Sequence, residues 1–219
     1  MVFILALLAL ISCLSLGTAY STVSDDTLKG FPSPGDEFDI KTGKILAPIL
    51  RTRVSGTEGS TAVLQHFLDF FAHQLPEWKI ELHNSSSTTP VSNGKEVPFV
   101  NLIATRDPPN TGVGDVGRLA LVAHYDSKYT PQGFIGAIDS AAPCAMILHA
   151  ARSIDQALTK KWAAMAADGM DDLEEKKGVQ ILLLDGEEAF QSWTATDSLY
   201  GARYVGLATH RWMGTDITL

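Results

Sequence analysis

Three acidic residues, Asp185, Glu187 and Glu188, stand within four positions at the end of an apolar run. Carboxylates crowded in this way repel one another, at a cost that grows as water is excluded. A bound cation or shared protons would offset it. Adjacent side chains at a strand end point in different directions, so one Glu could hold a metal while its neighbour faces a substrate as a base. A solvated loop is the plain alternative, since short acidic motifs are weak alone. His124 and Asp126 follow a second apolar run. Neutral imidazole binds metals, and a nearby carboxylate commonly fixes its tautomer. The alternative is a hydrogen-bonded pair that shapes a loop. Asp139 opens a helical pattern and reads either as its N-cap or as a metal ligand. Trp193, five residues past Glu188, reads as core packing or as the wall of an apolar pocket. His149 defaults to surface or core, and His66, His73, His83 and His210 show no ligand spacing.

These groups need elements to position them. Ser60–Leu75 places Val63, Leu64, Phe67, Leu68, Phe71 and Leu75 at helical spacing, with Ser60 able to cap the start. Lys79–His83 and Phe99–Thr105 read as strands joined by a polar loop. Asp107–Gly117, rich in Pro and Gly, reads as a loop. Leu119–Ala123 is a continuous apolar run, the mark of a strand buried on both faces. Asp139–Leu158 has helical spacing with Pro143 early, where its missing N–H costs little. Lys160–Lys177 reads as a charged connector with solvated acidic pairs, Val179–Leu184 as a second buried strand, and Asp197–Trp212 as a helix. Strand, helix, strand, helix implies an α/β fold: a mixed, mostly parallel sheet flanked by helices. In such sheets ligands bind beyond the carboxyl ends of the strands, which is where both polar groups fall.

With 219 residues, 45% hydrophobic and 19% charged, the protein has an ordinary globular composition. Two cysteines cannot make a disulfide framework, and a net charge of -8 argues against a nucleic-acid partner. Val2–Gly17 is apolar and uncharged. Gly17 and Ala19 suit a signal-peptidase site, so residues 1–19 read as a signal peptide and the mature protein as Tyr20–Leu219. The rival is a signal anchor, although the run is shorter than the roughly 20 residues of a spanning helix. The expected location is secreted or in the secretory lumen, with no stable membrane insertion after cleavage. Residues 20–44 read as a polar, extended leader and residues 45–219 as the body, expected to be monomeric. Asn84-Ser85-Ser86 is a glycosylation sequon in a Ser/Thr-rich stretch, expected on a surface loop.

Taken together the motifs are more specific. His-x-Asp after one strand, Asp at the next helix start and Glu-Glu after the following strand match the zinc aminopeptidase-like superfamily. The segments His124-Tyr-Asp-Ser-Lys-Tyr129, Gly136-Ala-Ile-Asp-Ser140, Pro143-Cys-Ala-Met146, Asp185-Gly-Glu-Glu-Ala-Phe190, Trp193 and Asp197-Ser-Leu-Tyr-Gly201 resemble the glutaminyl-peptide cyclotransferases. The resemblance runs from about Leu50 to Tyr204. It implies that Asp139 and Glu188 bind one zinc, that Glu187 is the general acid/base, and that Trp193 lines the pocket for an N-terminal glutamine. His124, Asp126 and Asp185 would support them. In the aminopeptidases the matching His binds a second metal, and the matching Asp precedes Asn; here Ser140-Ala141-Ala142 follows, which favours the cyclotransferase. A secreted peptide hydrolase is the alternative. The family also supplies a zinc-binding His after a Trp from a later segment, whereas His210 precedes Arg211-Trp212. The protein is therefore expected to bind zinc weakly and to cyclise poorly, and an inactive fragment is a third reading. Vertebrate-type members that this sequence resembles pair the cysteine matching Cys144 with one whose place is taken by Ala123 here. With Cys13 lost in the signal, Cys144 is expected to be a free, buried thiol.

Overall fold

The computed structural model describes residues 22–112, 114–169 and 177–205. The signal segment, the acidic pairs of residues 171–175 and His210-Arg211-Trp212 lie outside these. Two compact units divide after Ser33. In the first, a short helix, α1 (Asp25–Lys29), is capped by Ser24, whose hydroxyl accepts from the Thr27 N–H at 3.2 Å.

The second unit begins at Pro34, so residues 34–44 are not an extended leader. A 3-10 turn, Gly35–Phe38, presents Glu37 to the Arg152 guanidinium, and the Glu37 carbonyl accepts from Ile45 and Leu46. Arg152 holds the Glu37 carboxyl below its ordinary range. The apolar stripe read in sequence forms α2 (Glu58–Gln74), burying Val63, Phe67, Phe70 and Phe71. Each such burial contributes about 1.5–3 kcal/mol. The cap is Thr57 rather than Ser60: the Thr57 hydroxyl faces the Ser60 N–H, and Ser60 itself lies buried in the first turn.

Strand β1 (Lys79–Thr88) pairs antiparallel with β2 (Glu96–Arg106). The Ser/Thr-rich stretch expected as a loop is strand as far as Thr88, because the ladder continues from His83↔Asn101 to Thr88↔Glu96. β3 (Gly117–His124) and β4 (Lys177–Leu184) are parallel and joined through α3 (Ala142–Ala167). The sheet order is β1-β2-β4-β3, with β2 and β4 antiparallel. The sheet is thus mixed and flanked by helices, as expected. Two of its three described pairings are antiparallel, and the parallel one, β3–β4, carries the site.

α3 runs through residues expected in the charged connector, since Trp162 and Met165 are buried and the Arg106 guanidinium lies 5.1 Å over the Trp162 ring. The main core joins α2, α3 and the sheet through Phe67, Phe71, Leu102, Leu148, Ile181 and Leu183. β4 is buried as its apolar run predicts. β3 is not buried on both faces: Leu119 is 63% and Val122 54% exposed. Among the described residues β3 has a hydrogen-bonded neighbour on its β4 side alone. No helix of the described residues is long and apolar enough to cross a membrane.

Candidate functional site

Parallel register sets the site. His124 of β3 is the partner of Leu184 in β4, and the Tyr125 N–H donates to the Leu184 carbonyl at 2.8 Å. The two polar groups therefore leave the sheet side by side. Beyond β4 the backbone turns at Gly186, whose φ is +70° and whose missing Cβ would meet Phe99 at 2.3 Å. Only glycine fits both requirements. The turn points the Glu187 and Glu188 N–H groups at Asp126, whose two carboxylate oxygens accept them at 3.0 Å each. Asp126 is 2% exposed, and its Oδ1 also lies 3.2 Å from His124 Nδ1. One buried carboxylate thus fixes the imidazole and the backbone of both glutamates.

His124 Nε2 lies 2.9 Å from Asp139 Oδ1 and 3.8 Å from Glu187 Oε2. Burial works against a charged ring, but Asp126, Asp139 and Glu187 outweigh it and raise the imidazole to about 9. The His124 hydrogen bond holds the Asp139 carboxyl below its ordinary value. Asp139 does not cap α3. Its φ and ψ of −116° and 89° are non-helical, and the helix starts at Ala142.

The neighbouring glutamates diverge. The Glu188 side chain is 5% exposed and the Glu187 side chain 28%. Burial raises both, Glu188 to about 6. Glu188 Oε1 is buried with no hydrogen-bond partner, and the nearest ammonium, Lys128, is 3.9 Å away. Among the described residues His124, Glu187 and Glu188 offer ligand atoms within 4.8 Å of one another. Asp139 joins that group through His124 rather than through Glu188. Two carboxylates, one of them with an orphaned buried oxygen, and one imidazole are a donor set that suits zinc.

Asp185 turns the other way. Its carboxylate accepts from the Ser55 hydroxyl at 2.7 Å and the Val100 N–H at 3.0 Å, and burial raises it to about 7. Trp193 is no core residue, being 57% exposed. A small hollow beside Glu188 is walled by Val54, Ser127, Tyr129 and Phe190. The helix expected from Asp197 begins only at residue 200, because the Asp197 carboxylate is engaged by the preceding loop. His66 and His73 meet backbone carbonyls, of Ile45 and Asp69, and Asn84 is exposed on β1 opposite Val100.

Three contributors were missed in the sequence. Arg53, fully buried, donates to the carbonyls of Tyr125, Ile135 and Gly136 and so braces both ends of the loop between Asp126 and Asp139. Burial pushes its guanidinium below the usual value. Nothing in the sequence marks it, because its partners are backbone. Lys128 lies in the His124–Tyr129 segment and carries a readable signal, a cation beside acids. Asn101 accepts from the Asp185 N–H and donates to Gly201 O. Cys144 is a free buried thiol, as expected, donating to the His124 carbonyl at 3.2 Å.

Residues 101–215 match Peptidase family M28. The protein is 36% identical over 164 residues to the glutaminyl-peptide cyclotransferase of Bos taurus, covering 73% of this chain and 42% of that protein. It is 37% identical over 169 residues to the glutaminyl-peptide cyclotransferase-like protein of Mus musculus, covering 74% and 39%. The fold matches the crystal structure of Macrostomum lignano glutaminyl cyclase with a TM-score of 0.64 at 30% identity, covering 90% of this chain and 52% of that one. The matched region thus spans less than half the length of these two curated relatives.

Proposed function

The chain belongs to peptidase family M28, and from that premise we propose that it carries a glutaminyl-peptide cyclotransferase site. The substrates are peptides or proteins with an N-terminal Gln. The observation that carries the reading is the division between adjacent glutamates. Glu188 is buried with an unbonded oxygen, as a metal ligand would be, while Glu187 is partly open, with a carboxyl raised by burial toward the range of a working base.

Glu188 and Asp139 would hold one zinc, with the His124 ring adjacent. Bound there, zinc would act as a Lewis acid on the γ-carbonyl of the glutamine. Glu187 takes a proton from the substrate α-amine as that nitrogen attacks the γ-carbon. It returns the proton to the departing ammonia as the γ-carboxamide C–N bond breaks, leaving a pyroglutamyl peptide. Asp126 holds the backbone of both glutamates during the exchange, and Trp193 covers the glutamine. Glu187→Gln should retain zinc and lose cyclisation by about 100-fold or more, read as ammonia release from a glutaminyl peptide. Undiminished turnover in that variant would remove Glu187 from this role.

A zinc aminopeptidase is the second reading. It is favoured by the place of His124 within 4.8 Å of both glutamates, which suits a second metal. Two metal ions per protein molecule and release of free amino acids would select it. A protein that binds no zinc would leave the third reading, a non-catalytic protein of the same fold. The proposed setting is the secretory lumen, with a cleaved signal and a glycan on the exposed Asn84. A mobility shift on deglycosylation tests the glycan.

A further inference from the structure

Glu187, Glu188 and Trp193 share one closed loop. Three backbone hydrogen bonds clamp its base: Gly201 N–H to Asp185 O at 3.1 Å, Tyr200 to Gly186 at 2.7 Å and Leu199 to Glu187 at 3.0 Å. Inside the clamp one carboxylate gathers the backbone. Asp197, 4% exposed, accepts from the N–H of Phe190 on Oδ1 and of Gln191 and Ser192 on Oδ2, each at 2.9 Å. The Tyr200 hydroxyl donates to Oδ1 at 2.8 Å. On the far side of Trp193, the Thr194 hydroxyl accepts from the Asp197 N–H at 3.0 Å, and the Ser198 hydroxyl donates to the Thr194 carbonyl at 2.7 Å. The residues on both flanks of Trp193 are therefore tied to one short segment, yet the indole between them is 57% exposed.

A pinned backbone carrying an open aromatic is a preorganised contact. The loop does not have to be ordered when a ligand arrives, so the contact is not offset by lost backbone entropy. Without the Asp197 carboxylate, three N–H groups would lose their acceptor and the loop would have no reason to keep this path. We propose that Asp197 is a positioning residue that sets Trp193 against the Glu187–Glu188 pair and so tunes substrate affinity rather than the chemical step. This rests on the reading of Trp193 as the wall of the glutamine pocket.

The test uses the whole protein labelled with fluorotryptophan, its Trp193 fluorine resonance assigned by loss in Trp193→Phe. Asp197→Asn should shift or broaden that resonance and leave those of Trp78 and Trp162 in place. With a glutaminyl tripeptide, Asp197→Asn should raise KM about tenfold and change kcat less than about twofold. In a Trp193→Ala background it should add almost nothing to the loss, because the two residues act as one unit. An unchanged Trp193 resonance, or losses that add fully in the double variant, would overturn the proposal. If Asp197→Asn fails to fold, Thr194→Val, at an exposed loop position, removes the opposite tie and should disturb the same resonance. If the parent protein neither binds nor turns over the tripeptide, the pocket reading of Trp193 fails, while the ligand-free fluorine signal still decides what Asp197 does.

Discussion

Two parallel strands deliver the site, and they are held in different ways. β4 has a hydrogen-bonded neighbour on each edge, with Ile181 and Leu183 fully buried. β3 has one described neighbour and exposes Leu119 and Val122. Beyond the strand ends the roles reverse. The loop after β4 carries the divergent glutamates, but the brace that fixes their backbone, Asp126, comes from the more open β3. The two glutamates thus take their foundation from the enclosed strand and their aim from the open one. Mutating each strand separates these contributions.

The largest effect belongs to β4. Ile181→Ala should cost about 4 kcal/mol, because the cavity lies in the centre of a packed core. Urea unfolding of the two proteins measures it, and a loss under about 1 kcal/mol would deny β4 its central place. Asp126→Ala should cost about 3 kcal/mol from a single side chain, since it strands two N–H groups and releases His124. It should also weaken zinc binding, which Ile181→Ala should leave nearly intact in the folded protein. Equal loss of zinc affinity in both would mean that the aim of the glutamates is set by the whole fold rather than by Asp126.

What the sequence revealed of this arrangement follows from how local each signal is. The stripe of Val63, Phe67 and Phe71 marked α2, and the run Val179–Leu184 marked β4, because periodicity and length are written in neighbouring residues. Glu187, Glu188, His124 and Asp126 stood out because they cluster at strand ends, and the parallel pairing of β3 with β4 brings them together. The strand from Asn84 to Thr88 was hidden, since its composition suits a loop and only pairing with β2 makes it strand. The exposure of β3 was hidden for the same reason: the run Leu119–Ala123 cannot say how many neighbours it has. Arg53 was invisible, because a side chain that binds only carbonyls leaves no pattern.

Cys144 ties α3 to β3, its thiol donating to the His124 carbonyl. Burial, partly offset by the Arg53 charge, pushes the thiol up to about 12. Between the ordinary thiol value near 9 and that value, the unfolded protein has released its proton while the folded protein keeps it. The folded state then binds more protons, so this contribution to stability falls as pH rises through the unfolded value. Cys144→Ala should flatten the decline in unfolding free energy from about pH 9 upward relative to the parent. Native labelling at pH 8 should be at least about 100-fold slower than in denaturant, as expected of an inert buried thiol. Rapid native labelling would show that the wall between α3 and β3 is open.

The smallest expected effect sharpens the contrast most. Leu119 and Ile181 lie in paired strands, two positions apart in register, since Leu119 faces Val179 and Leu121 faces Ile181. Both are aliphatic and both occur in apolar runs, so a description by composition would treat them alike. Yet a leucine 63% exposed has already kept most of its contact with water in the folded state. Truncating it forfeits little transfer free energy and leaves no cavity to line. Leu119→Ser should therefore change stability by no more than about 0.5 kcal/mol, roughly an eighth of the Ile181→Ala loss. A loss above about 1.5 kcal/mol would mean that this face of β3 is covered in the folded protein. In that case Asp126 would be aimed from a strand as enclosed as β4, and the contrast between the two would collapse.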